Sequence, residues 1–163
     1  MRHIIELDRI DFAILGILQE DARTTVKAIA AEVGLAPSSA HQRIRRLWET
    51  GALKGLHAEA DPKVFGIGLE ALLMIGLTKH KRQTVDDFLR DVTEIPEVRS
   101  AYLVTGRYDL VVHVAVRDTL HLKDVALDQF TSRPGVTRIE TSIVFEARRR
   151  DRLPNYHSPQ DAT

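Results

Sequence analysis

The spacing of apolar residues changes once along this chain, and that change limits what it can fold into. Up to about residue 50 they recur at intervals of three and four. From residue 69 onward, runs in which every second residue is apolar alternate with two more stretches of helical spacing. A chain of 163 residues with two periodicities reads as two small units in series.

In the first part, Ile10, Ala13, Ile14, Ile17 and Leu18 form one stripe behind Asp8, which is placed as an N-cap. Glu20-Asp21-Ala22-Arg23 interrupts it. Val26, Ile29, Ala30 and Val33 mark a second helix, with Thr25 as its cap and Gly34 as its stop. Only Gly34-Leu35-Ala36 precedes a third helix, which opens on Pro37, where a missing N–H costs nothing. Its expected buried stripe is Ala40, Ile44, Leu47 and Trp48. Two helices joined by so short a turn are the pattern of a helix-turn-helix. The run from Ala52 to Ala60, with Gly55 inside it, suits a small two-stranded wing, which puts a winged unit at 1–60 and a linker at 61–68.

The second part reads as strand, helix, strand, strand, helix, strand. The strands are Leu69–Thr78, Val98–Thr105, Leu110–Val116 and Val136–Glu146. The helices carry Val85, Phe88, Leu89 and Val92, then Leu122, Val125, Ala126 and Phe130. Ile95-Pro96-Glu97-Val98 and Arg133-Pro134-Gly135-Val136 each leave a helix and open a strand, 38 residues apart, so the unit looks internally duplicated. The fold class is α+β, and 69–147 is expected to form a ferredoxin-like βαββαβ sandwich with two helices on one sheet face. The other face is apolar as well. Left bare it would be wet, so a second copy of the chain is expected to cover it. Residues 148–163, with Arg148, Arg149, Arg150 and two prolines, read as a flexible tail.

Composition narrows the function classes. The longest apolar stretch, Leu69–Leu77, includes Glu70 and falls far short of the roughly 18 residues of a membrane span. The N-terminus has no continuous apolar core or small-residue cleavage site, so no secretory signal and a cytoplasmic setting are expected. The absence of cysteine excludes disulfides, thiolate nucleophiles and cysteine-type zinc sites. His3, His41, His57, His80, His113, His121 and His157 are scattered without metal-ligand spacing, so no metal and no cofactor are expected. His113, in an otherwise apolar strand, is better read as a core or interface residue. No phosphate loop, catalytic triad or carboxylate pair is evident, so no catalytic residues are assigned and the chain does not read as an enzyme.

The net charge is zero, but the total conceals its distribution. Residues 36–50 hold three arginines and one acid, whereas 61–147 hold 11 basic and 13 acidic residues. Opposite the apolar stripe, the third helix offers Ser38, Ser39, Gln42, Arg43 and Arg46, flanked by His41 and Arg45, with Lys54 beyond it. Hydroxyl, amide and guanidinium groups are the ones that reach base edges and phosphates in a major groove. Taken alone, the pattern fits a solvated amphipathic face as well as a DNA-reading one.

The ordered combination of motifs resembles the Lrp/AsnC, or feast/famine, family of transcription regulators. The matching residues are Leu7-Asp8-Arg9-Ile10-Asp11 with Ile14-Leu15, then Arg23-Thr24-Thr25, Ile29-Ala30 and Val33-Gly34-Leu35-Ala36. They continue through Arg43-Ile44, Arg46-Leu47, Gly51-Ala52-Leu53-Lys54-Gly55 and Asp61-Pro62-Lys63 to Gly66. In the second unit they are Val104-Thr105-Gly106-Arg107-Tyr108-Asp109, Pro134-Gly135-Val136 and Glu140-Thr141-Ser142-Ile143-Val144. The resemblance covers roughly residues 4–147.

It implies a winged helix-turn-helix that binds double-stranded operator DNA, then an effector domain that pairs through its sheet into homodimers. The dimers often assemble to octamers, with an amino acid or related metabolite bound between them. Ser38, Ser39, His41, Gln42, Arg43, Arg46 and Lys54 would be the DNA-binding residues. Thr105, Gly106, Arg107, Tyr108 and Asp109 would meet the effector, with Thr141 and Ser142 as hydroxyl donors from a neighbouring subunit. Many members carry an acid directly after the turn glycine, where this chain has Arg107. If Arg107 faces the cleft it would attract anionic groups; it can equally point outward. The competing enzyme reading is a sirohaem-decarboxylase-like protein, which shares the architecture but would need histidines and arginines gathered around a porphyrin carboxylate.

Overall fold

Each helix of the first part is set by a local end signal. In the computed structural model, described over residues 6–78, 82–150 and 152–157, α1 spans Arg9–Glu20. Asp8 caps it: its Oδ1 accepts the backbone N–H groups of Ile10 and Asp11, both at 2.9 Å. The Asp11 carboxylate returns a bond to the Asp8 N–H, which completes a capping box. Helix α2 (Val26–Val33) starts on the Thr25 hydroxyl, which accepts from the Ala28 N–H. It ends on Gly34 at φ 70°, a left-handed conformation that a side chain disfavours. Three residues later Pro37 opens α3 (Pro37–Glu49). Buried Ile14, Leu18, Ile29, Leu47 and Leu53 form the shared core of these helices.

Two details differ from the sequence reading. Trp48, placed in the buried stripe of α3, is exposed; it lies one residue from the helix end, where no other described element of this unit covers it. Residues 52–60 form no strand, so the expected two-stranded wing is absent among the described residues. The chain there is still closing α3, since the Leu53 N–H bonds the Leu47 carbonyl and Leu53 drops into the core. What remains is too short for a ladder of its own.

The chain divides into two compact units, the residues up to Glu59 together with those from Arg148, and Ala60–Ala147. Within the first, residues 152–157 lie along α1. Arg152 pairs with Glu20 at 2.6 Å, the Leu153 N–H bonds Gln19, and the His157 ring stacks on Phe12.

The second unit opens with a single 3-10 turn, Pro62–Phe65. It continues as β1 (Leu69–Leu77), α4 (Arg82–Thr93), β2 (Val98–Leu103), β3 (Leu110–Val116), α5 (Thr119–Val125) and β4 (Val136–Val144). Residues Ala126–Thr131 prolong α5 as one wider π-type turn. The strands form one sheet in the order β2-β3-β1-β4, with every pairing antiparallel. This is the expected βαββαβ sandwich.

Side-chain parity gives the two sheet faces different tasks. Ala71, Leu73 and Ile75 of β1 and Leu110, Val112 and Val114 of β3 pack against Phe88, Val92, Leu122, Val125 and Phe130 of the helices. Glu70, Leu72 and Met74, with Val111, His113 and Ala115, occupy the opposite face, where no described helix of this unit packs. Within it His113 Nε2 pairs with Glu70 at 2.5 Å, so the one imidazole in the strand has a carboxylate partner.

Candidate nucleic-acid interface and effector turn

Helix α3 presents its polar residues unequally. Ser38, His41, Gln42 and Arg45 follow one another at helical spacing and are exposed, with Ser39 half-buried beside them. Lys54 is exposed beyond the helix end. Arg45 is held along the surface by Glu49 one turn later, at 2.7 Å.

Arg43 and Arg46 reach back to the head of α1, Arg43 partly buried and Arg46 half exposed. Arg43 stands one helical turn before Leu47 and three residues after Ala40, both wholly buried, so it borders the packed side of α3. Its Nη1 donates to Asp8 Oδ2 at 2.7 Å and to Asp11 Oδ1 at 2.9 Å. Arg46 Nη2 donates to Asp11 Oδ2 at 3.1 Å and to the Glu6 carbonyl at 2.8 Å. Asp11 has no exposed surface at all, yet both its oxygens are satisfied. Leaving a buried polar group without its partner typically costs about 1–3 kcal/mol, and more for a charged one. The Asp11 N–H, followed by Arg43, holds the Asp8 carboxyl below the usual carboxylate range. The sequence reading overlooked Asp8 and Asp11 as members of this surface, although their spacing at the head of α1 was plain.

The turn between β2 and β3 is equally organised. The Val104 N–H bonds the Asp109 carbonyl, and Gly106 takes φ 123°, which L side chains rarely adopt. Asp109 is anchored to β1: its N–H reaches the Ile75 carbonyl and its Oδ2 accepts the Leu77 N–H at 2.7 Å. Tyr108 donates its hydroxyl to Glu140, and that bond raises the phenol pKa. Arg138 lies 4.6 Å and Arg107 5.6 Å from the centre of the Tyr108 ring, and Arg138 also donates to the Arg107 carbonyl at 2.8 Å.

The structure thus gathers Arg107, Tyr108 and Asp109 with Arg138 and Glu140, two residues the sequence reading did not select. Strand parity was the available signal, because β1–β4 pairing sets Arg138 and Glu140 level with Gly76 and Met74, near the turn. Thr105 is exposed on the same turn. Thr141 and Ser142 pair with Leu73 and Leu72, hence lie on opposite faces of the edge strand β4. Among the described residues, no group of three or more histidine or acidic side chains could hold a metal ion. No described helix is long and apolar enough to cross a membrane.

A helix-turn-helix unit with an exposed polar helix, joined to a ferredoxin-like sheet with an ordered β2–β3 turn, defines a class of two-domain regulators. Family comparison is consistent with both parts. Residues 7–47 match the AsnC-type helix-turn-helix domain and residues 70–154 the Lrp/AsnC ligand binding domain. The chain belongs to the Lrp/AsnC family of transcriptional regulators. It is 36% identical over 141 residues to the HTH-type transcriptional regulator AldR of Mycolicibacterium smegmatis, covering 86% of this chain and 82% of that one. It is 33% identical to the transcriptional regulator AzlB of Bacillus subtilis, covering 90% and 93%. Among solved structures, a transcriptional regulator of Neisseria meningitidis in complex with L-Met superposes with a TM-score of 0.81 at 29% identity, covering 89% of this chain and 94% of that one.

Proposed function

We propose that this chain is a cytoplasmic, non-enzymatic regulator that binds double-stranded DNA through α3 and is modulated by an amino acid or related small metabolite. The observation that carries this reading is the exposed face Ser38-His41-Gln42, set on a helix that follows its partner after three residues. Ser38, Ser39, His41 and Gln42 would meet base edges and phosphates, Lys54 would meet the backbone, and Arg43 and Arg46 would shape the same surface. The helix-free apolar sheet face would be covered by a second copy, with dimers assembling further to octamers. Two recognition helices would then address half-sites about 34 Å apart.

The effector would sit at the β2–β3 turn, against Thr105, Gly106, Arg107, Tyr108 and Asp109, with Thr141 and Ser142 supplied by a neighbouring subunit. The L-Met complex of the Neisseria relative supports an amino acid at this kind of domain. Such a ligand acts by binding one assembly or DNA-competent state better than another. The relatives' names favour this reading over a tetrapyrrole enzyme of similar architecture.

The test is duplex retention across a salt series, with and without a panel of amino acids. Binding should weaken linearly in log salt and shift with at least one amino acid. No retention at low salt would refute the DNA-binding role.

A further inference from the structure

We propose that Asp11 is a positioning residue for the DNA-facing surface: it holds α3 to α1 through Arg43 and Arg46, and so removes both arginines from the set of phosphate contacts. The inference rests on the reading that α3 meets DNA, and it assigns those two cations a different task.

Three observations converge on it. Asp11 is wholly buried, and its two oxygens are taken by two arginines of α3, one on each. The arginines are secured a second time, Arg43 by the Asp8 carboxylate and Arg46 by the Glu6 carbonyl. Ser38, His41 and Gln42 face solvent outside this network, whereas Arg43, with 28% of its side chain exposed, and Arg46, with 50%, are both bonded within it. Arg43 cannot move to a phosphate without leaving a buried carboxylate half-compensated. That loss exceeds what a single solvated phosphate contact returns.

A planar guanidinium bridging two carboxylates fixes both distance and angle, which a point charge on a flexible stem does not. Because the bridge joins the first turn of α1 to successive turns of α3, it sets the rotation of α3 about its own axis. That rotation decides whether Ser38 and Gln42 point at the groove. Asp11 touches no DNA in this scheme and acts only through the arginines.

The test uses the full-length chain and two probes: a duplex selected by the wild-type protein from a random pool, and a mixed-sequence duplex of equal length. Kd is measured by fluorescence anisotropy across a salt series for the wild type, R43Q/R46Q, R43K/R46K and D11N. Thermal unfolding identifies variants that do not fold.

The proposal expects R43Q/R46Q to lose tenfold or more in affinity for the selected duplex with its salt slope unchanged. Phosphate contacts by both arginines in each subunit of a DNA-bound dimer would instead reduce the slope by about 4. The lysine pair, which keeps the charge but loses the fork, should behave like the glutamine pair. D11N should lose preference for the selected duplex while binding the mixed duplex at least as well, because an acid has gone and the arginines are released.

A reduced slope in R43Q/R46Q, or full rescue by lysine, overturns the proposal. Where the glutamine pair or D11N fails to fold, the lysine pair decides. A wild-type chain that selects no duplex overturns both this inference and the DNA-binding reading.

Discussion

Leu47→Ala tests whether the helical core stands on its own. Leu47 is wholly buried, and among the described residues the core it joins holds four other large buried side chains, Ile14, Leu18, Ile29 and Leu53, with Ala30 and Ala40 also buried on these helices. The substitution removes three carbon atoms, roughly 2.4 kcal/mol of transfer free energy at about 0.8 kcal/mol per methylene. A cavity contribution adds to this, which brings the expected loss to about 3 kcal/mol. A unit of roughly 75 residues is marginal to begin with, at about 4–11 kcal/mol. The chain's only tryptophan, Trp48, lies on α3 and so sits within this unit. The sheet core shares no residue with the helical one. In urea, the Trp48 fluorescence midpoint should fall sharply, while the part of the far-ultraviolet circular dichroism transition due to the sheet unit should stay. A loss below about 1 kcal/mol, or an equal displacement of both probes, would refute the reasoning that the cores are separate.

Three further outcomes follow from particular contacts. Asp8→Ala should destabilise the helical unit by about 1 kcal/mol at neutral pH through the lost cap. The folded chain holds the Asp8 proton less tightly than the unfolded chain does, so this stabilisation is present above the ordinary aspartate value near 3.9 and lost as pH falls through the lowered one. The gap between wild type and variant in denaturant midpoints should therefore close in strong acid; a pH-independent gap would contradict it. Gly106→Ala should cost the sheet unit about 1–2 kcal/mol by urea denaturation, because φ 123° is strained for a side chain even though the added methyl meets open space; a neutral result would count against that turn geometry. Leu72→Asp, on the helix-free sheet face, should shift sedimentation toward a single chain of 18.4 kDa, and persistent dimers would place the interface elsewhere.

Local chemistry was legible in the sequence. Asp8, Thr25 and Gly34 end or begin helices through bonds that reach only a few residues, so their types and positions suffice. Strand parity was equally readable, because a period of two sorts Leu73 from Leu72 without knowledge of the partner strand. What was not legible depends on chain segments far apart. Arg43 meets Asp8 across 35 positions, and Arg138 meets the Arg107 carbonyl across 31. From helix α3 alone, Arg43 looks like a free cation suited to DNA; only the packing of α1 against it reveals a buried carboxylate waiting there. The wing failed for a related reason, since Leu53 is drawn into the core by the end of α3 before any hairpin can form.

The central claim, that the exposed face of α3 reads DNA, is tested most directly by letting the full-length chain select fragments from its own genomic DNA, in parallel with a Ser38→Ala/Gln42→Ala variant. The account predicts a recurrent sequence with two-fold symmetry, its half-sites one helical turn apart, which the variant does not enrich although it folds and assembles normally. Equal enrichment by the variant, or no sequence enriched above bulk DNA by the wild type, would contradict it.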